Sequence, residues 1–143
     1  MEHLKLENQL CFPIYATSRM ITRLYQPLLD KLELTYPQFL VMLVLWEHKK
    51  LTVGQIGEKL YLNTNTTTPL IKKLMDKKYI LKNRSLEDER ILYISLTQAG
   101  KELQKSASTI PECLIKSSGI DPTELIGLKK AIDHLLAQLI TVN

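Results

Sequence analysis

The chain has 143 residues, 45% of them apolar and 24% charged, with a net charge of +4. That size and balance fit one domain with its own core, and one domain over 1–143 is expected. The longest apolar run, FLVMLVLW (Phe39–Trp46), falls far short of the ~18–20 residues of a membrane span, so no membrane segment is expected. The opening MEHLKLENQL lacks the charged-then-apolar order of a secretory signal, which points to the cytoplasm. In that compartment the two cysteines read as free thiols or redox centres rather than a permanent staple.

In chain order, residues 6–32 come first. Leu6, Leu10, Ile14, Ile21, Leu24, Leu28 and Leu32 fall near one helical stripe, and Pro13 and Pro27 predict bends or a late start. TYPQ (Thr35–Gln38) is a helix start: Thr35 caps, Pro37 fits the first turn and Gln38 completes a capping box, for a helix to about His48. LTVGQIGEKLYLN gives a short helix capped by Thr52. After the polar NTNT comes another, TTPLIKKLMDKKY, with Leu70, Ile71 and Leu74 inward. Two short helices joined by a tight polar turn make a helix-turn-helix. Tyr79–Thr97 reads as a β-hairpin with the charged tip SLEDE. Thr97 then caps a helix to about Ser117, SSGIDP breaks the chain, and Asp121 starts a last helix to Val142.

The expected fold is therefore mainly α with a small β-hairpin wing, a winged helix-turn-helix over about 49–96. The flanking helices, about 6–33 and 97–142, carry apolar faces too wide for that lobe to cover. They predict a symmetric homodimer.

Charge is uneven. Lys49 to Arg90 holds ten Lys/Arg against five Asp/Glu, and the rest of the chain nine against ten. A basic middle third suits a polyanion, although a solvated basic surface has the same composition. With Leu70, Ile71 and Leu74 inward, the outer face of the second helix holds Asn65, Thr68, Pro69, Lys72 and Asp76, flanked by Thr66 and Lys73. Asn and Thr can read adenine edges or the thymine methyl; Lys72 and Lys73 suit phosphates. In the wing, Asp88 and Arg90 are two apart and able to share one face of a strand, with the carboxylate holding the guanidinium extended for the minor groove. Lys82 and Arg84 lie on the other strand for phosphate contact. The partner these features imply is double-stranded, pseudo-palindromic operator DNA.

The order of elements, with DER (Asp88–Arg90) followed by ISLTQAGKEL (Ile94–Leu103), resembles the MarR family of winged-helix regulators across nearly the whole chain. The stretch NQLCFPIYATSRMITRLYQPLLDKLELTYPQFLVMLVLWE (Asn8–Glu47) is similar to the OhrR branch, the organic-hydroperoxide sensors. That resemblance implies a repressor, not an enzyme, with an organic peroxide as effector. Cys11 stands at its sensing cysteine, and Tyr25 and Tyr36 at the tyrosines that hydrogen-bond it. Cys113 stands where some members carry a resolving cysteine for an intersubunit disulfide. Pro13 departs from the branch, which has a helix former there.

Elementary chemistry bears on the same residues. Only a thiolate is a nucleophile, and phenol donors and a helix N-terminus favour the charged form. Tyr25 lies fourteen residues beyond Cys11, about 21 Å along a straight helix, so a shared site needs antiparallel first helices from two copies. Phe12, Tyr15 and Phe39 are apolar neighbours suited to a greasy peroxide. Plain packing remains open for either cysteine, as does resolution of Cys11 by a small cellular thiol. So do a repressor governed by a small phenolic ligand and, in another class, a thiol peroxidase. The chain lacks the alternating β/α order of a thioredoxin-like fold. His3, His48 and His134 are scattered without ligand spacing, so no metal or cofactor is expected.

Overall fold

The computed structural model describes residues 1–142 and divides into two compact units, Met1–Ile110 and the chain from Pro111 onward.

In the first unit two short 3-10 turns, Glu2–Leu4 and Leu6–Asn8, precede α1 (Cys11–Asp30). The helix starts late, so Leu6 and Leu10 lie outside it and are exposed. Pro13 falls in the first turn, where a missing N–H costs nothing, while Pro27 is interior. α2 (Tyr36–His48) starts as the sequence predicts, with the reciprocal Thr35–Gln38 capping box and Pro37 in its first turn. It is the central helix: Phe39, Val41, Met42 and Leu45 are buried, and they join Leu29, Leu34, Ile56, Ile71, Leu74, Ile80 and Ile94 in one core.

Next, β1 (Lys50–Thr52) runs into α3 (Val53–Leu60), where Thr52 and Gln55 form a second capping box. Tyr61, at φ 55°, ends α3 in the left-handed region and lets Leu62 N–H return to the Gly57 carbonyl at 2.9 Å. A side chain at Gly57 would stand 2.7 Å from the Leu62 carbonyl oxygen, so glycine permits the tight turn. α4 (Thr64–Asp76) is capped by the Asn63 side chain, which accepts from Thr66 N–H at 3.0 Å. It therefore opens three residues before TTPLIKKL. Its inner face is Thr67, Ile71 and Leu74, with Leu70 only half-buried.

The hairpin forms as β2 (Ile80–Arg84) and β3 (Leu92–Leu96), with Lys82 opposite Ile94. Sequence pattern does not announce β1, which pairs on the other side of β3, so the wing is a three-stranded antiparallel sheet in the order β1-β3-β2. Thr97 caps α5 (Gln98–Ala107), and Trp46 Nε1 donates to the Gly100 carbonyl at 2.9 Å, fixing α5 on α2.

One expected helix is two. The segment from Thr97 to about Ser117 breaks after α5 and restarts as α6 (Ile110–Ser118). Pro111 supplies the reason: inside a continuous helix it would lack a hydrogen bond to Ala107 and crowd that carbonyl, whereas in the first turn of α6 it does neither. In the second unit Asp121 caps α7 (Pro122–Ile140), which has no buried residue. Its apolar stripe is open to solvent, with Leu128 47% and Ile132 44% exposed.

Candidate functional site

Two groups of side chains carry the chemistry. The first is on α4 and the wing. Asn65, Thr66, Thr68, Pro69, Lys72 and Lys73 are all exposed along α4. Thr66 is partly committed, since its hydroxyl donates to Asn63 Oδ1 at 3.1 Å. Pro69 brings no N–H to the Asn65 carbonyl, which frees that oxygen within the first turns.

At the wing tip Asp88 and Arg90 do pair, but by a different geometry from the one expected. Neither lies in a strand, because residues 85–91 form the loop between β2 and β3. Arg90 Nε donates to Asp88 Oδ1 and Arg90 Nη2 to Oδ2, both at 3.0 Å, and the Arg90 backbone N–H joins Oδ1 at 3.0 Å. These donors, the guanidinium first, hold the Asp88 carboxyl below the usual carboxylate range and raise Arg90 in turn. The fork stands in solvent, with the Arg90 side chain 91% exposed.

Lys82 and Arg84 are exposed on β2, and Arg84 also ties the loop by donating to the Glu89 carbonyl at 2.9 Å. Lys50 carries no signal in the sequence. It sits on the unforeseen β1 with its ammonium 4.7 Å from the Tyr93 ring centre, beside a cavity of about 290 Å³ bordered by Asn83, Arg84 and Ser95.

The second group surrounds the thiol chemistry. Cys11 is exposed in the first turn of α1, a helix start that no side chain caps. Tyr25 on α1 and Tyr36 at the start of α2 come together, ring centres 5.0 Å apart and tilted by 54°. Phe39 backs Tyr25 at 6.0 Å, and Trp46 meets Phe39 edge-on at 6.1 Å. Burial pushes both phenols above their ordinary value, and the neighbouring Tyr36 adds to the rise at Tyr25, so both keep their protons at neutral pH. Neither hydroxyl makes a hydrogen bond among the described residues, so both remain available as donors.

Within one chain Cys11 does not join them. α1 is unbroken between Cys11 and Tyr25, which spans about 21 Å. Phe12 and Tyr15, the apolar neighbours of Cys11, are exposed, and Tyr15 lies under Arg19, its hydroxyl 3.3 Å from Nη1. Phe39 is instead in the core beside the tyrosines. Cys113 is half-buried on α6 in the second unit.

A buried helical core, an exposed second helix after a tight turn and a sheet wing define a winged helix-turn-helix protein. Residues 23–106 match the family described as transcriptional regulator SarA/Rot. The organic hydroperoxide resistance transcriptional regulator of Bacillus subtilis is 49% identical over 138 residues, covering 96% of this chain and 94% of the relative. Reduced AbfR bound to DNA, a protein of Staphylococcus epidermidis, superposes with a TM-score of 0.75 at 34% identity over 97% of both chains. Disulfide-formed AbfR gives 0.64 at 35% identity, over 99% of this chain and 94% of that one. The chain belongs to the MarR/SarA family of winged helix-turn-helix transcriptional regulators. Among the described residues no helix is long and apolar enough to cross a membrane.

Proposed function

We propose that the chain is a homodimeric repressor that releases operator DNA when an organic hydroperoxide oxidises Cys11. The observation that carries this reading is the close pair of protonated phenols, Tyr25 and Tyr36, with both hydroxyls unspent. The pair belongs to a chain 49% identical to an organic-hydroperoxide regulator.

The exposed apolar faces of α1 and α7 support pairing with a second copy. If the first helices run antiparallel across the two-fold, the start of one reaches the far end of the other. Cys11 of each copy then meets the tyrosines of its twin. There the phenols donate to the thiolate and orient it. The thiolate attacks one peroxide oxygen, the O–O bond breaks, and the second oxygen leaves with a proton as the alcohol. Sulfur has lost two electrons and is a sulfenic acid.

The Cys113 thiolate of the other copy then attacks that sulfur, a disulfide forms and water leaves. AbfR, a relative, has been seen reduced on DNA and in a disulfide-formed state, which supports a two-state switch of this kind. In the reduced dimer each α4 enters a major groove, Asn65, Thr66, Thr68 and Pro69 facing base edges and Lys72 and Lys73 the phosphates. Lys82, Arg84 and the Asp88-held Arg90 bring the wing to the adjacent backbone and minor groove.

The test is DNA release from a duplex selected out of random sequence by the reduced protein. Equimolar cumene hydroperoxide is expected to weaken wild type by about 100-fold, within the usual range of allosteric coupling, and to leave Cys11→Ser unchanged. Equal release by Cys11→Ser would contradict the redox reading and favour a bound small ligand. Non-reducing mass spectrometry of the same sample should show Cys11 joined to Cys113 between chains; a small-thiol adduct on Cys11 would remove Cys113 from the scheme.

A further inference from the structure

The far end of the DNA-reading helix is tied to the start of α2, which carries Tyr36, and to the turn before it. Lys77 closes α4, and its Nζ donates back to Gln38 Oε1 at 3.0 Å and to the Glu33 carbonyl. Gln38 is 3% exposed and stands two residues after Tyr36. Its Oε1 also accepts the Thr35 N–H at 3.2 Å, so one oxygen serves both the cap of α2 and the end of α4. A second, longer contact runs in the same seam, Tyr79 Oη donating to the Leu32 carbonyl at 3.4 Å. Lys77 lies in the basic third of the chain, yet its ammonium is turned to two uncharged oxygens, one in the α1–α2 turn and one in the first turn of α2, and makes no salt bridge among the described residues.

We infer that Lys77 is the positioning residue through which a displacement of the Tyr25–Tyr36 pair reaches the DNA-reading helix. The inference rests on the reading of those tyrosines as part of the thiol site. α4 has 13 residues and is about 20 Å long. It is held at its C-terminal end by Lys77, while Asn65 to Pro69 lie at the other. When the first turn of α2 moves, the Lys77 anchor moves with Gln38 and α4 tilts. Hydrogen bonds to base edges tolerate a spread of only about 0.5 Å, so a small tilt of a long lever is enough to lose them. A charged donor on a neutral acceptor is roughly twice as strong as a neutral pair, which suits a bond that must transmit force.

Reduced and peroxide-treated wild type, Lys77→Met, Lys77→Arg, Gln38→Met and the double variant Lys77→Met/Gln38→Met are compared for DNA affinity, with thermal melting to establish folding. The quantity read is the ratio of reduced to oxidised affinity, which a merely structural loss leaves alone. Wild type is expected to show about 100-fold, and Lys77→Met and Gln38→Met less than about tenfold, with the double variant no worse than either single one. Lys77→Arg, which keeps a charged donor, should recover most of the response. Unchanged ratios in folded Lys77→Met, or additive losses in the double variant, would overturn the tether. If Lys77→Met does not fold, Gln38→Met tests the same bond from the acceptor side, and an unchanged ratio there overturns the tether equally. A wild type indifferent to peroxide would instead bring down the sensor reading, and the tether with it.

Discussion

Arg90 is a cation without a buried partner, held out from the wing by Asp88. Because the folded Asp88 carboxyl lies below its ordinary value, the fork is complete above the usual carboxylate range. It is lost only as pH falls through the lowered value. Titration of this pair should therefore add no pH dependence to DNA affinity between pH 5 and 8. Arg90→Ala is expected to weaken DNA binding about tenfold and to reduce the slope of affinity against salt by about one. An unchanged slope in a salt titration would show that Arg90 does not meet the nucleic acid.

The tyrosines run the other way. Their folded values are raised, so as pH climbs past the ordinary phenol value the unfolded chain gives up these protons first and stability falls. Tyr25→Phe/Tyr36→Phe should flatten that alkaline loss in melting experiments, and an identical curve would argue against the burial effect. The wing pair was legible from spacing, since an acid and a base two residues apart in a hairpin are within reach of one another. Its loop geometry was not legible, because the hairpin register is set by which residues of SLEDER turn, a choice made by backbone bonds and not by composition.

At the scale of elements, capping chemistry was the most legible feature. Thr35, Thr52 and Thr97 each cap the helix expected of them; Thr35 and Thr52 do so with a glutamine three residues on that completes a capping box, and Thr97 by accepting the Gly100 N–H alone. Asn63 was harder to see, since the polar run after it has poor helix propensity and reads as turn. The Asn63 cap overrides that propensity, and Asn63→Ala should cost about 1 kcal/mol and lower the melting temperature by about 4 °C. It should also weaken DNA binding, as the first turn it secures presents Asn65 and Thr66. Melting within about 1 °C of wild type would place the start of α4 under packing alone.

β1 escaped notice because three residues between two helices carry no period, and only its pairing with β3 makes it a strand. Gly100 is a firmer element-scale constraint. A Cβ there would lie 2.0 Å from the Tyr79 carbonyl oxygen, at the contact that seats α5 on the wing. Gly100→Ala should cost about 2–3 kcal/mol in denaturant unfolding; a cost under about 0.5 kcal/mol, the range of neutral surface changes, would contradict that seating.

Over the whole molecule the sequence reveals surfaces but not their partners. The basic third is visible as a count, and the structure places its α4 and wing cations in the open. Leucines of α7 and apolar residues of α1 repeat with helical spacing, yet nothing in one chain's periodicity says what they meet. The same limit governs the thiol site: an unbroken α1 separates Cys11 from Tyr25, and a single chain cannot bring them together. The proposed thiol site is therefore one that two copies build together.

A mixed dimer tests it most directly. Cys11→Ser chains keep the tyrosines, and Tyr25→Phe/Tyr36→Phe chains keep the cysteine; each homodimer lacks a complete site. Unfolded together and refolded, the two should form heterodimers in which one cysteine faces one tyrosine pair. Peroxide-triggered DNA release, absent or slow in both parents, is expected to return in the mixture. A mixture no more responsive than its parents would contradict a site shared between copies.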